Sequence, residues 1–422
     1  MASNDLGGWT RPAPGLYPHQ WFWDSCFVAI GLAHVDPDRA ARELLSLMHG
    51  QWENGMMPHM IYSSKWPYRL ESWLWGTGGL SPRTSKTSGI TQPPMLAIAA
   101  ERVARALPPR EATIFIQTIL PTIIRFHEWI YRERDPQGTG LAAVLHSWEC
   151  GMDDIPYWTE AMKHLPPTPL RWRWLREYRP VRPSERATPQ DLQHMLALAY
   201  LLKSNHFDSA SVMRQSKVVL ADLLFNSVLA AANESLERLA ETIDQPVPPE
   251  LRARFAPTRR ALERLWDPEL GQYFTRNYHT GRLLRTPTVA TFMPLFAGTA
   301  APSRAETLRK MLTENRGYNN VPFPLPSVPR GSRHFEPQRY WRGPTWISLN
   351  WFVVLGLERY GFTEEAEWLR LHTVGLVERS GFREYYNPLT GDGLGAAEFS
   401  WSAALTLDLL AGRPDRELDY EQ

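Results

Sequence analysis

Segments with the hydrophobic period of an α-helix follow one another along almost the whole chain, and no low-complexity linker interrupts them. The signals for β-structure are short, and the clearest is a hairpin between residues 271 and 285. This order predicts an all-α fold whose paired helices close into a toroid, although an irregular helical domain would give the same pattern. We expect helices over residues 39–52, 93–107, 111–134, 188–203, 210–243, 249–266, 302–315, 344–360, 363–380 and 400–410.

The charges of the chain nearly cancel, since 46 Lys and Arg stand against 45 Asp and Glu in 422 residues. A net charge of +1 excludes a nucleic-acid binder that works by bulk electrostatics. No stretch of about 18 uncharged apolar residues is present, and the first residues do not form a secretory signal. We therefore expect a cytoplasmic protein with neither a nucleic-acid nor a membrane partner. Two cysteines cannot form a disulfide framework.

The chain is rich in aromatic residues, with 18 Trp, 15 Tyr and 16 Phe, and many of them lie in polar loops between the helices. In the first such loop, Tyr17, Trp21 and Asp24 are spaced so that they share a face if the segment is helical. A carboxylate beside two aromatic planes suits the binding of a sugar. The alternative is that the tryptophan belongs to the core and that Asp24 caps a helix.

A second loop, residues 146–154, is crowded with carboxylates, since Glu149, Asp153 and Asp154 follow one another closely beside Trp148. Crowded carboxylates repel one another, and this raises the pKa of at least one of them. A carboxyl group that stays protonated near neutral pH can serve as a general acid. A solvated acidic turn is the alternative, but the neighbouring tryptophans indicate partial burial.

A third loop, residues 339–346, contains a Gly-Pro pair that marks the start of a helix. Such a start directs Tyr340, Trp341 and Trp346 toward one mouth, unless the loop packs on its own rings. In a fourth loop, Glu384 stands between aromatic residues, and a carboxylate in such a place needs a partner or a role.

Motifs for metals and cofactors are absent from the sequence. Residues 387–393 lack the alternating acidic ligands of a calcium loop. We find no Gly-rich phosphate loop, no HExxH motif and no GxSxG nucleophile elbow. The sequence therefore predicts a protein that uses no metal and no organic cofactor.

Taken together, these loops make the sequence resemble glycoside hydrolase family 63, in its bacterial branch of mannosylglycerate and glucosylglycerate hydrolases. The resemblance runs through almost the whole chain, and it implies an (α/α)6 barrel with short β-hairpins and an active-site mouth formed by long loops. We expect a single catalytic domain over residues 1–422, with loop insertions at about 54–92 and 146–187. The matching stretches are residues 17–25 (YPHQWFWDS), 51–55 (QWENG), 58–59, 87–94 (TSGITQPP), 148–153, 340–346, 384–386 and 399–401.

The resemblance also implies an activity and residues that carry it. The family hydrolyses α-glycosides with inversion, and by resemblance Asp153 is the general acid and Glu384 the general base. An inverting site needs one protonated and one ionised carboxyl group, about 6.5–9.5 Å apart. Sugar contacts are implied for Tyr17, Trp21, Asp24, Gln92, Tyr340, Trp341 and Trp346. To this set of substrate-binding candidates we add Trp23, Trp148, Glu149, Arg186, Gly343 and Glu398.

The sequence departs from the family pattern at two places. Asp154 replaces an Asn beside the acid, which should raise the pKa of Asp153 further if both carboxyl groups face the pocket. In the stretch that resembles the family's glycerate-binding motif, Arg186 is kept, but Leu192 stands where the pattern has a tyrosine. Arg186 can still pair with a substrate carboxylate through two hydrogen bonds. Leu192 offers no hydroxyl, so the departure bears on the aglycone rather than on the sugar.

We therefore expect an inverting, exo-acting glycosidase that releases glucose or mannose from a small α-glycoside, with mannosylglycerate and glucosylglycerate as first candidates. An α-glucosidase acting on neutral disaccharides or glucosylglycerol would use the same carboxyl pair. A non-catalytic sugar-binding toroid would keep the aromatic walls. The expected partner is a small-molecule glycoside, and homo-oligomer formation is left open by the sequence.

Overall fold

The computed structural model describes residues 1–63, 75–168, 181–314 and 317–412. Most of these residues are helical, and the helices begin where capping residues or prolines predict a start, as at Asp36, Thr188 and Asp222. The α-helices span Phe22–Leu32, Pro37–Leu47, Leu96–Ala106, Pro109–Trp129, Pro156–Met162, Pro189–Ser204, Ser209–Gln215, Leu223–Thr242, Pro249–Arg252, Phe255–Glu263, Met293–Phe296, Pro302–Thr313, Ile347–Arg359, Thr363–Ser380 and Ser400–Ala411.

The β-structure consists of short antiparallel pairs. The paired strands are Gln20–Trp21 with Met60–Ile61, Leu220–Ala221 with Arg276–Asn277, Trp266–Asp267 with Gln272–Tyr273, and Arg383–Tyr386 with Gly393–Ala397. Pairs this short add little stability of their own. They fix the loops at the ends of helices, and the last pair carries Glu384.

An inner ring of helices closes on itself. In this ring each helix contacts the next, and the last contacts the first. The members in order are Phe22–Leu32, Leu96–Ala106, Leu223–Thr242, Met293–Phe296, Ile347–Arg359 and Ser400–Ala411. Further helices lie outside, so that Pro37–Leu47 packs on the first member and Thr363–Ser380 on the fifth. This is the (α/α)6 barrel that the sequence predicts, and the prediction is confirmed.

The inner and outer helices differ in how they are buried. Phe22–Leu32 is buried at every residue up to Gly31, whereas Pro37–Leu47 alternates between a buried face and an exposed one. A helix surrounded by protein is apolar on all sides, and a helix at the surface carries one apolar face. The hydrophobic core is accordingly formed between the inner ring and the helices that surround it.

The predicted helix over residues 210–243 is wrong in its middle. The chain leaves the helix after Gln215 and pairs Leu220–Ala221 with Arg276–Asn277, then starts again at Leu223. The side chain of Asp222 accepts a hydrogen bond from the Phe225 N–H at 3.1 Å, which caps the new helix. Leu220 is buried and stands where the helical period expects an apolar residue. The hydrophobic pattern therefore gave no sign of the break in the helix.

The predicted hairpin between residues 271 and 285 is also only partly present. Gln272–Tyr273 pairs with Trp266–Asp267, so residue 266 lies in a strand and not at the end of the predicted helix 249–266. The two sides of the predicted turn at residues 279–281 are joined by one bridge, from Arg276 to Leu283, and by backbone hydrogen bonds from the Asn277 N–H to Arg282 at 2.9 Å and from the Leu284 N–H to Thr275 at 2.8 Å. Among the helices within the described ranges, none has both the length and the apolar character needed to cross a bilayer.

Candidate active site

A pocket of about 520 Å³ opens where several inner helices begin. Its wall takes residues from the loops directly before Phe22–Leu32, Ile347–Arg359 and Ser400–Ala411. The structure brings most of the predicted site residues to this one pocket. They are Tyr17, Trp21, Trp23, Asp24, Gln92, Trp148, Asp153, Arg186, Tyr340, Trp341, Trp346 and Glu384.

The first loop reaches the pocket by a route that differs from the predicted one. Gln20–Trp21 is a strand and the helix begins at Phe22, so Tyr17, Trp21 and Asp24 do not share a helical face. Tyr17 and Trp21 instead meet edge to face at 5.8 Å between ring centroids. The strand places Trp21 at the pocket wall, Tyr17 reaches the wall from the loop before the strand, and the first turn of the helix presents Asp24 beside them.

Glu149 is not part of the pocket wall. Its side chain is fully buried, and both carboxylate oxygens accept hydrogen bonds from Arg134, at 2.7 and 2.8 Å. The backbone N–H of Leu145 donates to it as well. The prediction that Glu149 binds substrate therefore disagrees with its position, because its acceptor positions serve to fix the loop that carries Asp153.

This buried ion pair leads to a prediction about stability. Arg134→Met is expected to lower the free energy of unfolding by about 3–5 kcal/mol, because the Glu149 carboxylate would remain buried without its partner. Urea unfolding of the two proteins measures the difference. Arg252→Met is the matched control, since exposed Arg252 pairs at 2.9 Å with partly exposed Glu237, and this pair should contribute at most about 1 kcal/mol. Equal losses in the two variants would contradict the prediction.

Gly343 and Glu398 also lie outside the pocket wall. The Gly343 N–H donates to Ser327 Oγ, and a Cβ on Gly343 would lie 2.5 Å from the carbonyl oxygen of Glu336. The absence of a side chain at Gly343 permits the close approach of the backbone at Glu336, and Gly343 does not line the pocket. Glu398 is exposed and accepts from Ser3 Oγ at 3.3 Å. Its side chain points toward the N-terminal residues, so the prediction of a sugar contact disagrees with its position.

Asp153 is the half-buried carboxylate of the second loop, and it faces the pocket. The Tyr340 hydroxyl donates to its Oδ2 at 2.9 Å. Burial, together with the negative charges of Asp154 and Glu384, raises the pKa of Asp153 to about 7. The Tyr340 hydrogen bond and the positive charge of Arg186 limit this rise. Asp153 can therefore carry a proton near neutral pH and give it up to a neighbour.

Asp154 turns away from the pocket, although it follows Asp153 directly. It is fully buried, and its Oδ1 accepts from the Trp341 N–H at 3.1 Å. Arg342 lies within 3.5 Å of its other oxygen. Asp154 thus anchors the third loop to the second and acts on Asp153 through its charge alone.

Asp153 has negatively charged neighbours, whereas Glu384 forms a direct ion pair with a cation. The Arg186 guanidinium donates to both carboxylate oxygens, at 3.0 and 2.8 Å, and the two side chains are buried. The Tyr17 hydroxyl donates to Oε1 at 2.7 Å, and the Ala396 N–H donates to Oε2 at 2.8 Å. Burial acts to lower the pKa of Arg186, but Glu384 and the neighbouring Tyr17, Tyr385 and Tyr340 together outweigh it, so that the pKa of Arg186 is raised. These four donors fix the position and orientation of the Glu384 carboxylate.

The chain brings Glu384 and Arg186 together through the last strand pair. The Gly395 N–H donates to the Glu185 carboxylate at 2.9 Å, and this ties the segment before Arg186 to the strand opposite Glu384. Gly395 has a positive φ, and a Cβ there would lie 2.5 Å from Glu384 Oε2. A side chain at this position would therefore displace the carboxylate.

Flat aromatic surfaces complete the wall. Trp341 and Trp346 stack in parallel with 3.6 Å between ring centroids, and Tyr340 meets Trp346 at 5.5 Å. Asp24 lies at the same pocket, where burial and the charges of Glu384 and Asp153 raise its pKa well above its usual value. Rings beside carboxyl groups are suited to a hydroxylated ligand with flat faces, such as a sugar.

Sequence reasoning missed several residues of the wall. His59 stacks on Trp148 with 6.4 Å between centroids, and Trp75 meets both rings edge to face. Trp401 also lines the pocket. His59 and Trp401 lie in stretches that carry the resemblance, and that was the available signal. Leu192 lines the pocket too, so the departure from the family pattern concerns the wall itself.

A metal centre is not evident in the described parts of the chain, where no group of three or more His, Cys, Asp or Glu could hold an ion.

Comparison with known families decides the class of protein. The model of a family described as "Mannosylglycerate hydrolase MGH1-like glycoside hydrolase domain" matches residues 17–402. The chain belongs to this family of glycoside hydrolases.

Relatives and solved structures agree with this membership. The chain is 40% identical to a mannosylglycerate hydrolase of Thermus thermophilus, over 96% of this chain and 98% of that one. It is 33% identical to a glucosylglycerate hydrolase of Mycolicibacterium hassiacum, over 97% and 96% of the two chains. A crystal structure of a GH63 mannosylglycerate hydrolase from Thermus thermophilus, in complex with Tris and D-glycerate, superposes with a TM-score of 0.89. That match has 39% identity and covers 97% of this chain and 98% of the other. This glycoside hydrolase is therefore an enzyme of the GH63 type, and the alternative of a non-catalytic sugar-binding toroid is set aside.

Proposed function

We propose that this glycoside hydrolase is an inverting, exo-acting enzyme that releases mannose or glucose from an α-glycoside of glycerate. The proposal is supported by the relatives, whose names are mannosylglycerate hydrolase and glucosylglycerate hydrolase. The pocket, with its aromatic walls and carboxyl groups, accommodates a ligand of this size and polarity.

One observation carries the mechanism. Asp153 and Glu384 face one pocket, but burial and negative neighbours raise the pKa of Asp153, while Glu384 forms a direct ion pair with Arg186. Two carboxyl groups in such different surroundings, one with a raised pKa and one paired with a cation, can act as the acid and the base that glycoside hydrolysis needs. Asp153 would protonate the leaving oxygen, and Glu384 would take a proton from a water that attacks the opposite face of the sugar. The aromatic walls, Asp24 and Gln92 would hold the sugar.

The pKa of Asp153 leads to a prediction about pH. The value of kcat/KM should fall as the pH rises through about 7, since the acid loses its proton there. Asp154→Asn removes a negative charge that raises the pKa of Asp153, so this basic limb should move to lower pH. Profiles of kcat/KM against pH for the two proteins measure the shift. A basic limb that stays in place in Asp154→Asn, or moves upward, would contradict the assignment of the acid.

Sugar release from purified protein tests the proposed function. The panel is mannosylglycerate, glucosylglycerate, glucosylglycerol and kojibiose, and proton NMR of the fresh product reads the anomer. We expect release from one or both glycerate glycosides and a β-anomer as the first product, because inversion of an α-linkage requires it. An α-anomer as the first product, or no release from any of the four compounds, would overturn the proposal.

A second candidate is an α-glucosidase that acts on neutral glucosides, and the acceptor side of the pocket favours it. Arg186 already uses both terminal nitrogens on Glu384. Val181, Ala187 and Leu192 add apolar surface to the wall near it in the sequence. Release from glucosylglycerol and kojibiose at rates that match those of the two acids would support this reading, with the same inverting chemistry.

A further inference from the structure

Donors surround the carboxylate of Glu384 on all sides. Oε1 accepts from the Tyr17 hydroxyl at 2.7 Å and from Arg186 Nη1 at 3.0 Å. Oε2 accepts from Arg186 Nη2 at 2.8 Å and from the Ala396 N–H at 2.8 Å. An ionised carboxylate offers about four lone-pair positions. A water molecule therefore has no acceptor position left on Glu384 unless one of these donors leaves.

Among the four hydrogen bonds, one is made by a group that can pass a proton on. A guanidinium keeps its protons in proteins, and a peptide N–H keeps its own. The Tyr17 hydroxyl differs, because it is both a donor and an acceptor of hydrogen bonds. It accepts from Arg186 Nη1 at 2.8 Å while it donates to Glu384. As its own proton passes to Glu384, the Tyr17 oxygen gains a lone pair that can accept a proton from a further group.

The exposure of the two side chains points the same way. The side chain of Glu384 is only 2% exposed, whereas Tyr17 is partly exposed, and both belong to the pocket wall. Tyr17 also lies on the wall beside Trp21, whose ring it meets edge to face. Of the two side chains, Tyr17 is thus the more accessible to a molecule in the pocket.

We propose that Tyr17 is a catalytic residue that relays the proton of the attacking water to Glu384. The step rests on the proposed function. The water oxygen forms a bond to the anomeric carbon, and its proton passes to the Tyr17 oxygen while the Tyr17 proton passes to Glu384 Oε1. The bond from the anomeric carbon to the leaving oxygen breaks, its electron pair stays on that oxygen, and Asp153 supplies the proton. Tyr17 ends as it began.

Arg186 acts in this step as a positioning residue. Its Nη1 donates both to the Tyr17 oxygen and to Glu384 Oε1, so one group fixes the two ends of the transfer. Its carbonyl oxygen accepts from Arg339 Nη1 at 3.2 Å, and its guanidinium lies 5.1 Å from the Tyr340 ring centroid. These contacts keep the Arg186 guanidinium in place while the proton moves. A positive charge beside the Tyr17 oxygen also stabilises negative charge that develops there.

The test uses the α-glycosyl fluoride of whichever sugar the enzyme releases, because fluoride departs without needing a proton from Asp153. The protons that move then belong to the water side alone. We measure the rate as a function of the deuterium fraction of the solvent. Two protons in flight predict a curved, quadratic dependence for the wild type, and Tyr17→Phe predicts a linear one. The variant should also lose about 100-fold in kcat with a smaller change in KM, as expected for loss of a proton transfer.

Tyr360→Phe is the control, because the Tyr360 hydroxyl also donates one hydrogen bond, to the Ala300 carbonyl, but outside the pocket wall. Its rates and its solvent isotope dependence should match those of the wild type. A linear dependence in the wild type would overturn the relay even if Tyr17→Phe failed to fold, and so would a Tyr17→Phe kcat within about threefold of the wild type. An active Glu384→Gln enzyme would instead remove the proposed base, so the two failures are distinguishable.

Discussion

Asp153→Asn is expected to reduce kcat on a glycoside with a poor leaving group by about 10²–10⁴-fold, because an amide cannot protonate the departing oxygen. The change preserves size, and the Asn oxygen can still accept from the Tyr340 hydroxyl, which donates to Asp153 at 2.9 Å. The loss should be much smaller with a glycosyl fluoride, since that leaving group needs no proton. Steady-state kinetics on the two substrates measure the difference.

The neighbouring carboxyl group supplies the control for this variant. Asp154→Asn makes the same chemical change one residue further along, but Asp154 turns away from the pocket and binds the Trp341 N–H. Its loss in kcat at the optimal pH should be small beside that of Asp153→Asn. Equal losses on the glycoside and the fluoride in Asp153→Asn would contradict the assignment, because a general acid acts on the leaving group alone.

The sequence was informative where one residue type decides the local outcome. Carboxylates placed among aromatic residues in loops pointed to Asp24, Asp153 and Glu384, and all three reach one pocket. Such residues are costly to keep in the core without partners, so their position in the sequence indicates a site. The order of helical segments favoured a closed toroid but left an irregular helical domain open, and the resemblance to the family implied the (α/α)6 barrel that the structure shows.

Partners between distant segments could not be predicted in the same way. Glu149 and Glu384 are both carboxylates next to aromatic residues, yet Glu149 pairs with Arg134 away from the pocket and Glu384 pairs with Arg186 at its wall. Arg186 and Glu384 are 198 residues apart in the chain, and no local pattern links them. The sequence predicted that Arg186 would meet a substrate carboxylate, because its charge is visible in the sequence and its partner is not.

Glu384→Gln is expected to lower kcat by about 10²–10⁴-fold on every substrate, including the glycosyl fluoride, since the attacking water loses its base whatever the leaving group. This insensitivity to the leaving group distinguishes it from Asp153→Asn. A Gln side chain would also turn an amide N–H toward the Arg186 fork, which now donates to both oxygens at 3.0 and 2.8 Å. The basic limb of the pH profile should move to lower pH, because the charge of Glu384 raises the pKa of Asp153.

A nucleophile that needs no base should restore turnover when Glu384 is shortened to Ala. Azide is already an anion, so it can attack the anomeric carbon directly from the space that the Glu384 side chain now occupies beside Tyr17 and Arg186. We expect added azide to accelerate consumption of the glycosyl fluoride by Glu384→Ala and to yield a β-glycosyl azide, identified by NMR. Attack from the face opposite the leaving group requires that configuration. An α-glycosyl azide, or a Glu384→Gln enzyme with near-normal rates, would place the base elsewhere in the pocket.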